Sequence, residues 1–280
     1  LWARRARHDG GTVRRNPVVC ITGGSSGIGA GLARAYAARG ASLVLVARRE
    51  ERLRSVAQSV PQAPVELVVG DVTQDGVMEE AVARARSRFG KLDVMVANAG
   101  FGVSGALDEL TVQDVQRQLD VNVLGVVRAA RASIAALRES KGSLALMGSV
   151  NAYVAFPAGS AYAMSKAAVR ALADCLWLEL RPSGVSVTHL APGFVDSEIR
   201  RVDNSGVFRA DARDPIPAWA RMDADVAARK MVRAIEARKK ELVLTPLGVL
   251  AVWVARHAPW MLRWTLALSG VQARPEPNKD

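Results

Sequence analysis

PVVCITGGSSGIG, residues 17–29, opens with the apolar run Val18-Val19-Cys20-Ile21-Thr22 and breaks into paired glycines. Such a run entering a glycine-rich turn reads as a buried strand. Beyond the turn, Ile28, Leu32, Ala35 and Tyr36 recur at helical spacing up to Arg39, and Gly40 stops the helix. The same alternation then repeats along the chain. Short apolar runs at 41–47, 65–69, 92–97, 143–147, 185–190 and 241–244 are separated by amphipathic stretches at 50–60, 75–89, 111–138, 162–180 and 223–238. The 111–138 stretch reads as one long helix or two in sequence. Strands apolar throughout, each followed by a helix, predict an α/β fold, a Rossmann-like doubly wound parallel sheet of about seven strands with helices on both faces. In that architecture ligands bind at the carboxyl ends of the strands.

Composition narrows the function. The chain has 280 residues, half of them hydrophobic, enough for a sizeable core. Two cysteines, Cys20 and Cys175, form neither a metal spacing nor a disulfide framework, and both are expected to pack in the core. That usage suits a reducing, cytoplasmic setting. Three scattered histidines argue against a metal site. The net charge of +11, arginine far outnumbering lysine, lacks any nucleic-acid motif, so no nucleic-acid partner is expected. Residues 1–16 read as a basic, flexible lead-in with no apolar segment of the kind a secretory signal requires.

The turn Thr22-Gly23-Gly24-Ser25-Ser26-Gly27-Ile28-Gly29 joins strand to helix where a pyrophosphate can meet free backbone N–H groups. The second strand ends in Val46-Ala47-Arg48-Arg49, with no carboxylate until Glu50. Arginine suits a ribose 2′-phosphate, so NADP(H) is favoured over NAD(H), with Arg48 as the grip and Arg49 as a solvated helix-start residue. Further on, Gly148–Lys166 reads GSVNAYVAFPAGSAYAMSK. Tyr162 and Lys166 share a helix face, and an ammonium beside a phenol is expected to lower its pKa. Ser149, at a strand end, is placed to bond the same substrate oxygen.

TGGSSGIG at 22–29, Asp71, Asn98-Ala99-Gly100, Asn122, Ser149, Tyr162, Lys166 and Pro192-Gly193 stand in the order seen in the short-chain dehydrogenase/reductases, which residues 17–245 resemble. The resemblance implies that Asp71 and Val72 meet adenine, and that Asn98, Ala99 and Gly100 shape the cofactor cleft. It implies that Asn122 holds a water in a proton relay and that Ser149 orients a carbonyl. Tyr162 would be the acid/base and Lys166 its activator and ribose ligand, while Val195 and Ser197 grip the carboxamide. It also implies a homodimer or homotetramer, with Arg117, Arg128 and Trp177 near the contact. The activity expected is hydride transfer to or from a small-molecule carbonyl or alcohol, with a lipophilic substrate preferred. A carrier-bound 3-oxoacyl substrate and a non-catalytic redox sensor are the alternatives.

Two segments lie outside the pattern. Residues 195–222, mixing charges, prolines and stray aromatics, read as a substrate lid. The 246–280 tail combines the apolar stretch 247–255 with a second helix starting at Pro259, on which Trp260 and Trp264 share a face, before a polar end. Neither piece reaches the roughly 20 apolar residues that span a bilayer. The tail therefore lies peripherally on a membrane, packs on a partner subunit, or walls the substrate cleft.

Overall fold

The computed structural model describes residues 16–212, 214 and 216–268. The basic lead-in before residue 16 and the polar end after residue 268 lie outside the described residues. Seven parallel strands form one sheet in the order β3-β2-β1-β4-β5-β6-β7. They are β1 Val18–Thr22, β2 Ser42–Ala47, β3 Val65–Val69, β4 Val94–Ala97, β5 Ser143–Met147, β6 Ser186–Ala191 and β7 Glu241–Val243.

The strands β1, β2, β4 and β5 are apolar along most of their length because both sides of the sheet are covered there. Val19 and Ile21 of β1 face a core shared with α1 (Gly27–Ala37) and α7 (Ala224–Glu236), containing Leu32, Tyr36, Met231 and Ile235. Val18 and Cys20 face the opposite core. That core is shared with α3 (Val77–Phe89), α5 (Gly125–Ser140) and α6 (Ser160–Leu180), through Met78, Val126, Leu137 and Val169. The remaining helix beside the sheet, α2, spans Glu50–Gln58.

The 111–138 stretch is neither one uniform helix nor two separate ones. Thr111 closes a capping box with Asp114 at the start of α4 (Val112–Leu119), and a π turn at Asp120–Leu124 carries the chain into α5. A π turn interrupts the regular carbonyl ladder, and such turns recur at functional sites. Asn122 sits inside this one.

Cys20 is buried, and burial pushes its thiol up to about 12. Cys175, expected in the core, is instead exposed. Ala173, Leu176 and Leu180 supply the inward face of α6, and position 175 falls on the opposite side of the turn.

Residues 195–222 hold two short 3₁₀ turns, Glu198–Arg201 and Ala218–Ala220. Val195 bridges Met222, and Asp214 takes a paired bond from Arg200 and another from Arg221, which closes the segment on itself. The tail forms α8 (Pro246–His257) and α9 (Pro259–Leu268). Val252 of α8 is buried against Val150 and Val154, and Arg256 donates hydrogen bonds to both carboxylate oxygens of Glu241 of β7. The outer side of the pair leaves Leu247, Leu250, Trp253, Trp260, Met261 and Trp264 exposed. Among the described residues, no helix is long and apolar enough to cross a membrane.

Candidate active site

Strand order reverses between β1 and β4, so the loops after these strands diverge and leave a crevice. Thr22 ties its two walls together. Its hydroxyl accepts from the backbone N–H groups of Asn98 and Ala99, both at 2.9 Å, and Asn98 Nδ2 donates back to the Thr22 carbonyl at 2.8 Å. The glycines follow from close approach. A Cβ on Gly23 would lie 2.9 Å from Ala99 Cα, and one on Gly29 would lie 2.1 Å from the Gly23 carbonyl oxygen. Gly27 takes φ +50° where the turn enters α1. A backbone this bare, followed at once by a helix N-terminus, fits a dinucleotide pyrophosphate. Ser25 is buried in the turn, Ser26 precedes the helix, and Ile28 packs partly against the core.

The adenosine end differs in detail from expectation. Arg48 is 62% exposed, donates to the Gly206 carbonyl at 3.1 Å and stands 3.7 Å from Asp71. Arg49, expected to be solvated, instead bonds Ser26 Oγ at 3.2 Å and Glu198 at 2.6 Å. Asp71 accepts from the backbone and hydroxyl of Thr73, and the Val72 side chain is buried beside Gly125.

At the other end, β5 delivers Ser149 and α6 delivers Tyr162 and Lys166. Ser149 is buried in extended backbone, caps the short turn Val150–Ala152 by accepting from Asn151 N–H, and lies close enough to Tyr162 to favour its ionised form. Gly148 before it has no room for a side chain, since a Cβ would lie 2.0 Å from His189 Nε2. Lys166 is buried, donates to the Met147 carbonyl at 2.9 Å and lies 5.5 Å from the Tyr162 ring centre. Asn122 is fully buried. It exchanges hydrogen bonds with the Phe101 backbone at 3.0 and 3.1 Å and donates to Ser165 Oγ at 3.1 Å. A Cβ on Gly100 would meet Asn122 Oδ1 at 3.0 Å and Lys166 Nζ at 3.6 Å, so these groups surround one point. Pro192 accepts from Val150 N–H, Gly193 abuts Thr245, and the Val195 carbonyl receives Arg200 and Ser197.

The electrostatics correct one expectation. Burial pushes the Tyr162 phenol above its ordinary value, although the Ser149 hydroxyl and the Arg200 charge pull it down. The Lys166 ammonium, 5.5 Å from the ring centre, does not offset that burial. Burial lowers Lys166 to about 8. A buried lysine whose folded pKa falls below its unfolded value weakens the fold wherever it must be charged. The penalty is complete below about pH 8 and fades as pH rises toward 10.5. Lys166→Met should therefore gain stability over the parent protein at neutral pH, with the gain shrinking between these values. Paired urea melts across that range check this, and a pH-independent difference would refute it.

Sequence reasoning missed Arg200 and Glu198, which come from the irregular segment after β6, where no periodicity flags a role. It also missed the cluster in which Tyr153 bonds Glu241, His189 stands 3.2 Å from the Tyr153 hydroxyl, and Arg170 and Arg256 lie over the Tyr153 ring. Of the residues expected at an oligomer contact, Arg128 pairs with Asp75, Arg117 with Asp114, and Trp177 lies under Arg181 and Lys240.

The family model described as short chain dehydrogenase matches residues 17–207. The chain belongs to the short-chain dehydrogenase/reductase family. It is an oxidoreductase of this NAD(P)-dependent family, and its relatives agree. The chain is 34% identical to 11-beta-hydroxysteroid dehydrogenase A of Sesamum indicum, over 94% of this chain and 78% of that one. It is 32% identical to dehydrogenase/reductase SDR family member 7B of Rattus norvegicus, over 94% and 84%. Among solved structures, the alcohol dehydrogenase of the archaeon Thermococcus sibiricus complexed with 5-hydroxy-NADP superposes with a TM-score of 0.70 at 31% identity, covering 81% of this chain and 95% of that one. A short-chain dehydrogenase from Streptomyces avermitilis gives 0.75 at 26% identity, covering 93% and 100%.

Proposed function

We propose that this short-chain dehydrogenase/reductase is an NADP(H)-dependent enzyme that interconverts a carbonyl and a secondary alcohol on a lipophilic substrate, with Tyr162 as acid/base. The convergence of Ser149, Tyr162 and Lys166 beside the Gly100–Asn122 point, at the carboxyl end of the sheet, carries the reading. A bound nicotinamide supplies or accepts the hydride. Ser149 and Tyr162 are near enough for the serine hydroxyl to bear on the phenol's ionisation, so one substrate oxygen can meet both. Ser149 donates to the developing alkoxide, and Tyr162 delivers the proton that neutralises it. Lys166 supplies positive charge behind the phenol ring, and Asn122, bonded to the Phe101 carbonyl and Ser165, holds the helix turn that carries the lysine.

The phosphorylated cofactor is favoured by Arg48 and Arg49 after β2, with Asp71 engaged by Thr73. The NADP analogue in the Thermococcus sibiricus relative supports the same preference. The lipophilic substrate is supported by the relative named a hydroxysteroid dehydrogenase in Sesamum indicum and by the apolar Val150–Val154–Phe156 wall against α8. The exposed tryptophan face of α8 and α9 suits either a membrane surface or the partner subunit of a homodimer or homotetramer.

Absorbance assays of NADPH and NADH oxidation against hydrophobic ketones and carrier-bound 3-oxoacyl thioesters test this proposal. The expected result is turnover of the free ketones with NADPH preferred by about tenfold or more, the order of one charge-assisted phosphate contact. Cofactor binding without turnover on any substrate would make the protein a sensor instead.

A further inference from the structure

The anion-binding corner of the crevice holds an anion of the protein's own. Glu198, from the turn after β6, places one carboxylate oxygen 2.6 Å from Arg49 and the other 3.9 Å from Arg52. The same Arg49 nitrogen also donates to the hydroxyl of Ser26, the residue immediately before α1, at 3.2 Å, so Glu198 and Ser26 share one guanidinium. Burial alone would raise its carboxyl, but these donors hold it below the ordinary value. The chain around Glu198 is seated on the same corner. A Cβ on Gly27 would lie 3.0 Å from Ser197 Cβ and 4.0 Å from the Glu198 nitrogen. Phe208 stacks on the Arg49 guanidinium at 5.7 Å, and Gly206 accepts from Arg48. The run 197–208 therefore touches the glycine turn and both arginines after β2.

Those donors, two guanidinium groups and a serine hydroxyl beside a helix start, are what a phosphate monoester requires. A carboxylate offers them two oxygens and one negative charge. A ribose 2′-phosphate offers three oxygens and nearly two charges, while a bare 2′-hydroxyl offers neither.

We propose that Glu198 is a specificity-determining residue, a resident competitor at Arg49 and Ser26 that a ribose 2′-phosphate displaces and a 2′-hydroxyl does not. This deepens the NADP(H) reading and rests on it. NADH leaves the Glu198–Arg49 pair intact, whereas NADPH must break it before Arg49 is free. Removing Glu198 should therefore help only ligands that carry the phosphate.

Calorimetric titration of the parent protein, Glu198→Ala and Glu198→Gln with NADPH, NADH and adenosine 2′,5′-bisphosphate tests the inference. Glu198→Ala should tighten NADPH and the bisphosphate by roughly three- to fivefold, the upper end of what one partly exposed ion pair contributes. NADH should stay within about twofold on the same scale. Glu198→Gln, which keeps the shape and loses the charge, should fall between and guards against a misfolded alanine variant. Unchanged NADPH affinity, or equal tightening of NADPH and NADH, overturns the role of Glu198 while leaving the dinucleotide site standing. If none of the proteins binds a dinucleotide, both readings fall.

Discussion

Tyr162→Phe should lower kcat by roughly 10²–10⁴-fold, the range a positioned general acid contributes, with dinucleotide affinity nearly unchanged. The substitution keeps the ring beneath the Lys166 ammonium and removes only the hydroxyl. The upward displacement of the phenol adds a direction to the pH profile. A proton donor is competent while it is protonated, so carbonyl reduction should hold its rate through neutral pH. Alcohol oxidation needs the tyrosinate and should accelerate as pH rises toward the phenol's pKa. Steady-state rates in both directions, with cofactor titration in parallel, provide the check. Turnover by Tyr162→Phe within a few-fold of the parent would remove Tyr162 from the chemistry.

Gly29→Ala should have the second largest effect, and it should fall on binding. The added Cβ would stand 2.1 Å from the Gly23 carbonyl oxygen and 2.8 Å from Asn98 Nδ2. The first neighbour is backbone and cannot rotate away, so the turn must open and Asn98 must loosen from the Thr22 carbonyl. Overpacking of this kind costs about 1–3 kcal/mol. Here the same displacement also spoils the cradle for a pyrophosphate. The expected result is a fall in melting temperature together with a loss of dinucleotide affinity of about tenfold or more, the change that 1.4 kcal/mol produces. Calorimetry and thermal melts measure both, and an unaltered Kd would show that the turn does not hold the dinucleotide.

Much of the fold was legible because parallel strands covered on both faces read as unbroken apolar runs. The first, third and fifth runs coincide with β1, β3 and β5, and the others differ by at most two residues at either end, where capping and fraying decide. The tail's two helices were legible too, with Pro246 and Pro259 at their starts. The grouping of Ser149, Tyr162 and Lys166 came from motif order, since residues far apart in sequence meet only through the sheet.

The sequence by itself determined the strand–helix alternation and the glycine turn, because these depend on neighbours a few positions away. Tertiary structure alone decided the rest. It placed a π turn around Asn122 and turned Cys175 outward. It raised the Tyr162 phenol where a nearby lysine suggested the reverse. It also gave Arg49 a carboxylate from 149 residues away. Desolvation and long-range pairing depend on what packs across a site, and no local pattern records that.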